Sequence, residues 1–170
     1  MGSLCPTIAS RIDPGPTLGH SLPSTASEHA VTRIDFYIVP EQGADSSAVT
    51  ACRVAEKAYE KGHSVHLHLT DSAGARALDT LLWTFRDGSF VPHQVLTGEP
   101  INAPVTLGWQ DDPPVPADVL INLSAEVPAY FSRFQRLAEI VGPDAEALSA
   151  SRERYRFYRE RGYPLHNHRL

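Results

Sequence analysis

Neither a G-x-G-x-x-G nor a G-x-x-x-x-G-K-[ST] run occurs in the 170 residues. The backbone amides that would cradle a pyrophosphate at a helix N-terminus therefore have no signature here. No G-x-S-x-G elbow surrounds a serine, so the strand-end Ser124 lacks the context of an esterase nucleophile. Cysteine is scarce: Cys5 and Cys52 make no disulfide framework, and a reducing cytoplasm is the simplest inference. No apolar run approaches the roughly 20 residues of a membrane-spanning helix. The first 32 residues show no sustained hydrophobic period and are rich in Pro, Ser, Thr and Gly. They lack the basic start and apolar stretch of a signal peptide, and Pro6 stands where a myristoylation motif needs Ser or Thr. Such a segment buries too little apolar surface to offset its ordering entropy, which predicts a disordered extension over 1–32 and one domain over 33–170.

What is present is an alternation of strand and helix patterns. Ile34–Val39 reads as a strand, rich in β-branched and aromatic residues and ended by Pro40. Ser46–Lys61 carries a helical stripe of Val49, Cys52, Val54, Ala55 and Ala58, with Asp45 or Ser46 as its cap and Gly62 as its stop. Val65–Leu69 is a second strand, and Asp71 or Ser72 opens a helix through about Trp83. A turn-rich stretch with Pro92, Gly98, Pro100 and Pro104 follows. Val105–Trp109 and Asp118–Leu123 are further strands, separated by an acidic, proline-rich loop from Gln110 to Ala117. A short helix over Tyr130–Gln135, a strand over Leu137–Val141 and a long helix over Asp144–Arg161 complete the pattern. The alternation implies a three-layer α/β fold, a mostly parallel sheet with helices on both faces, Rossmann-like without a phosphate-binding loop.

Candidate chemistry is sparse. His66 and His68 are two apart on a strand and share one face, but no third ligand accompanies them, so two histidines on a half-exposed sheet face are expected rather than a metal site. Cys52 has no neighbouring base in sequence and reads as a small core residue. The residues define no catalytic, cofactor-binding or metal-binding set. The concentrated signal is the C-terminal run SRERYRFYRERGYPLHNHRL, where six arginines stand against two glutamates. That is a net +4 on a chain of formal charge −5, leaving −9 for the remainder. Such asymmetry points to an anionic partner on one face. Tyr155, Phe157, Tyr158 and Tyr163 interleave with the arginines, and an aromatic floor beside a guanidinium suits bidentate capture of a carboxylate or phosphate. The competing reading is a solvated amphipathic helix with its aromatic side buried. Direct DNA binding by the arginine helix is permitted by local charge, and the overall acidity opposes tight non-specific binding.

The segments RIDFYIV, CRVAEKAYEKGHSV, ALDTLLWTFRDGSFVPH, DVLINL and RERYRFYRERGYPL together resemble the chi subunit family of bacterial DNA polymerase III, in order and spacing, across about Thr32 to Leu170. The resemblance implies a non-catalytic accessory protein of the clamp-loader assembly in DNA replication. It implies that one face binds the acidic C-terminal tail of single-stranded-DNA-binding protein, and that DNA is met mostly indirectly. It implies that another face binds the psi subunit, or another clamp-loader component where psi is absent. Carried over residue by residue, the tail site comprises Arg152, Val141 and Tyr155, with Arg156 and Arg159 on the same helix face. A basic residue used one turn before the arginine in well-known members is Leu148 here, so one charge contact is missing. The psi-facing residues correspond to Trp83 and Phe90. No cofactor and no membrane are implied. The alternative reading of this fold is a small nucleotide- or metal-dependent enzyme.

Overall fold

A computed structural model describes residues 31–41, 46–116 and 118–170 of the chain. Its elements in order are β1 (Arg33–Ile38), α1 (Ser47–Glu60), β2 (Val65–His68), α2 (Ser72–Thr84), β3 (His93–Val95), β4 (Val105–Gly108), β5 (Val119–Asn122), a single 3-10 turn (Phe131–Arg133), β6 (Arg136–Val141), α3 (Ala145–Glu160) and β7 (Leu165–Arg169). Among the described residues the strands form one seven-stranded sheet in the order β3-β4-β2-β5-β6-β1-β7. Every pairing is parallel. The fold is thus the expected three-layer α/β arrangement.

Two strands go beyond the sequence reading. β3 lies within the turn-rich stretch, three residues long and directly after Pro92. β7, Leu-His-Asn-His-Arg, has no β-branched or aromatic residue and is held by its ladder to β1. Both are outer strands, where a single partner suffices and composition is least constrained. The helix expected over Tyr130–Gln135 contracts to the 3-10 turn. Ser46, not Asp45, can be assigned as the α1 cap, since its side chain accepts from the Val49 amide; Asp45 lies outside the described residues. The expected extension over 1–32 also lies outside them apart from Val31 and Thr32. Thr32 is buried, and its hydroxyl donates to the Phe134 carbonyl at 2.6 Å.

Alternation along the strands builds two cores. Val65, Leu67, Val105, Leu107, Val119, Ile121, Ala138 and Ile140 pack beneath α1 and α2. Ile34, Phe36, Leu120, Leu137 and Val141 face the opposite way, against Tyr158 of α3 and the aromatic residues Tyr130, Phe131 and Phe134. His66 and His68 point to this second side. The expected half-exposed histidine face is therefore corrected: His66 is fully buried and His68 partly so, because loop residues Leu96, Val115 and Tyr130 cover that end of the sheet. His66 Nδ1 lies 2.8 Å from the Thr106 hydroxyl, and burial pushes its pKa down to about 3, so the ring is neutral. A Cβ at Gly108 would meet His66 Cε1 at 3.1 Å, so any larger residue there would have to push the ring aside by a few tenths of an ångström.

The α3 layer is anchored by polar groups. Glu139 sits in the middle of β6 with no exposure. Arg154 Nε donates to its Oε2 at 3.0 Å, and the Tyr158 hydroxyl donates to its Oε1 at 2.6 Å. Asn122 Nδ2 donates to both carboxylate oxygens at 3.2 and 3.1 Å, and Arg154 Nη1 donates to the Ala125 carbonyl at 2.8 Å. Burial pushes the Glu139 carboxyl up and is opposed by these partners. Removing one member of a buried pair leaves an uncompensated charge, whereas replacing both by apolar groups is far less costly. Arg154→Met should therefore cost about 3–5 kcal/mol, and adding Glu139→Leu should recover part of that loss. Urea melts of the two single variants and the double variant check this; simple additivity of the two losses would contradict it.

Candidate functional site

The rotation of α3 decides which arginines meet solvent. Asp144 caps the helix by accepting from the Ala147 amide at 2.8 Å, and its N-terminus follows directly on β6 through Gly142. A Cβ at Gly142 would press on Asp144 Oδ2 at 3.1 Å and Ser47 Oγ at 3.2 Å. Arg154 and Tyr158, one turn apart, are both drawn to Glu139 and set the inward face. The remaining arginines then divide. Arg161 lies 3.6 Å over the Phe157 ring and donates to the Phe157 carbonyl. Arg169 belongs to β7. Arg152, Arg156 and Arg159 are exposed, and among the described residues they have no ion pair or hydrogen-bond partner.

These three guanidiniums, at i, i+4 and i+7, run along about 10 Å of one helix face. They line an open recess together with Tyr155 and Glu160. Tyr155 is half-buried, and its ring packs at 5.4 Å from Phe36 of β1, so the recess has an apolar floor continuous with the core. The structure thus brings together four of the five residues of the expected tail site. Val141 is not on the recess wall; at the end of β6 it is 2 % exposed, in the core cluster that Leu148 and Tyr155 flank. Glu160 was missed in sequence, where it read as one of two glutamates diluting the positive run. A linear stripe of unpaired cations beside a ring accepts an extended anionic chain, and one carboxylate at the rim disfavours acidic groups at that point.

A second candidate surface lies on the α2 side. Trp83 is 51 % exposed and Phe90 69 % exposed, the rings 5.6 Å apart. Such large aromatic residues are ordinarily buried, and these two meet solvent. Their segment is held from below. Glu56 of α1, 8 % exposed, accepts from Arg86 Nη2 at 2.7 Å and from the Ser89 hydroxyl at 2.6 Å. His93 Nδ1 donates to the Val91 carbonyl at 2.7 Å, its Nε2 lies 3.2 Å from the Asp79 carboxylate, and its ring packs 4.6 Å from Trp83. An apolar pair formed by the end of α2 and the braced loop after it, with polar groups around it, has the form of an interface anchor.

Other candidate groups are committed elsewhere. Burial pushes the Cys52 thiol up to about 12, in keeping with a core role. His68 Nδ1 meets the Tyr130 hydroxyl at 2.7 Å, and Ser124 donates to Asn122 Oδ1 at 2.8 Å and lies 3.0 Å from the Glu126 carbonyl. Among the described residues no three His, Cys, Asp or Glu side chains converge as a metal site. No helix among them is long and apolar enough to cross a membrane.

The family model described as DNA polymerase III chi subunit, HolC, matches residues 31–166. The chain is 44 % identical over 140 residues to the DNA polymerase III subunit chi of Pseudomonas aeruginosa, covering 82 % of this chain and 98 % of that protein. It is 30 % identical over 133 residues to the subunit of the same name from Haemophilus influenzae, covering 76 % and 92 %. The Escherichia coli subunit chi is 30 % identical over 116 residues, covering 67 % and 79 %. On these matches the chain belongs to the DNA polymerase III chi subunit family.

Proposed function

We propose that this chain is an accessory subunit of DNA polymerase III in replication, working by binding rather than by catalysis. Its α3 face holds the acidic C-terminal tail of a single-stranded-DNA-binding protein. Its Trp83–Phe90 face holds psi or another clamp-loader component. The setting is the cytoplasm. The observation that carries the reading is the row of Arg152, Arg156 and Arg159, exposed and without partners among the described residues, beside the half-buried Tyr155. Long unpaired guanidiniums repel one another, and their clustering along one face is relieved by an anionic partner. Arg152 grips the terminal carboxylate of the tail. Tyr155 supports the end of the tail, with Leu148 and Val141 beneath it. Arg156 and Arg159 meet the acidic run upstream and compensate for the uncharged Leu148.

The second contact is supported by the exposure of Trp83 and Phe90 and by the bracing of their loop through Glu56. α2 and α3 cover opposite faces of the sheet, so the two partners do not compete. The chain bridges them.

Calorimetric titration with the tail peptide tests the first contact. Arg152→Ala should weaken it by about 2 kcal/mol through loss of a charge-assisted hydrogen-bonded pair, and Arg156→Ala by less. Affinity unchanged in Arg152→Ala removes that assignment. For the second contact, Trp83→Ala should abolish capture of the clamp loader while costing about 1 kcal/mol or less of stability, since the ring is half-exposed. Tail-peptide affinity should stay the same, because the sites share no partners. A large fall in melting temperature with joint loss of both contacts would refute the interface role of Trp83.

A further inference from the structure

Parallel sheets are ordinarily covered on both faces. Here, among the described residues, nothing covers the α1 side of the outer strands. β1 alternates sharply: Ile34 and Phe36 are buried towards α3, while Arg33, Asp35 and Tyr37 project the other way. In the parallel register Arg33 pairs with Arg136 of β6, Asp35 with His166 and Tyr37 with His168 of β7, so these side chains share one face. Beyond the edge of α1 that face consists of cations and rings, not of apolar residues. Side-chain exposures of Arg33, Arg136 and His168 are 45 %, 40 % and 38 %.

Asp35, with no exposure, organises them. It accepts from Arg136 Nε at 2.6 Å and from Arg33 Nη2 at 3.2 Å, and His168 Nε2 lies 2.8 Å away. Burial raises its pKa, but the bonds from Arg136 and His168 prevail and hold it below the usual carboxylate range. Arg136 is tied through Nε alone, so its two terminal nitrogens keep their donors, without partners among the described residues. One carboxylate against two guanidiniums leaves a positive surface on an acidic chain. Tyr37 and His168 stack beside it, ring centroids 4.7 Å apart and 17° from parallel.

We propose that this open face of β6, β1 and β7 is a docking platform for single-stranded nucleic acid, with Arg136 and Arg33 on phosphates and a base continuing the Tyr37–His168 stack. The flat pair of rings favours a nucleic acid over an acidic peptide, since every base offers a π-face and an acidic side chain does not. The positive charge argues against a second copy of the same face, which would repel it. The platform is separate from the α3 row, which lies across the sheet.

The test is fluorescence anisotropy of a labelled oligothymidylate at low ionic strength. Wild-type protein should bind it. The double variant Arg33→Gln and Arg136→Gln, which keeps hydrogen-bond donors for Asp35, should lose at least about tenfold in affinity and reduce the log–log salt slope by about 1.4, for two single-strand phosphate contacts. A triple variant Arg152→Ala, Arg156→Ala and Arg159→Ala should bind as wild type. Photocrosslinking of a bromouracil-containing strand to wild-type protein needs no variant to fold, and adducts are expected at Tyr37 or His168. Absence of binding by wild type, loss in the α3 triple variant alone, adducts confined to α3, or displacement of the oligothymidylate by an equal concentration of an oligoglutamate peptide would each overturn the proposal.

Discussion

One buried carboxylate sets the orientation of helix α3. Helix α3 has few apolar residues, and its arginines recur at 152, 154, 156 and 159, so several rotations would bury one guanidinium and expose the others. Glu139 resolves this ambiguity. It takes Arg154 and Tyr158 together, one turn apart, while Asn122 and the Ala125 carbonyl satisfy the remaining donors and acceptors. A wrong rotation would leave that carboxylate buried without a cation, at a cost of several kcal/mol. The network's worth lies in specifying one arrangement more than in net stabilisation.

The same device recurs twice. Glu56, nearly buried in α1, ties Arg86 and Ser89 and so fixes the loop that lifts Phe90 into solvent beside Trp83. Asp35, buried in β1, ties Arg136, Arg33 and His168 and so joins β7 to the sheet edge. In each case a carboxylate without freedom to move holds long side chains in one geometry. Binding then costs less entropy, because its donors are already placed.

Much of this was legible in the sequence. The period-2 and period-3.6 patterns located five strands and the three long helices, because their buried faces are built from Val, Ile, Leu, Ala and aromatic residues. Arg152 came from the family resemblance, and Arg156 and Arg159 share its helix face by spacing; that this face turns outward was not legible, because Glu139 decides it. β3 and β7 were not legible: His93-Gln94-Val95 and Leu165–Arg169 are held by backbone ladders at the sheet edges, and their composition is that of loops. The diversion of Arg154 was hidden because its partner lies in another element. One signal was available, a lone glutamate inside the apolar run Leu137-Ala-Glu-Ile-Val141, where only a buried cation can answer it. The exposure of Trp83 and Phe90 could not be read from residue type, since tryptophan and phenylalanine are ordinarily core residues.

Glu139 turns Arg154 inward and leaves Arg152, Arg156 and Arg159 on the outer face, the row proposed to meet the acidic tail. Nuclear magnetic resonance of the arginine Nε–Hε groups, followed while the acidic tail peptide is added, reports on each guanidinium separately. The signals of Arg152, Arg156 and Arg159 should move with the peptide while that of Arg154 stays fixed and protected from exchange. Movement of the Arg154 signal on binding, or a row of three signals indifferent to the peptide, would contradict it.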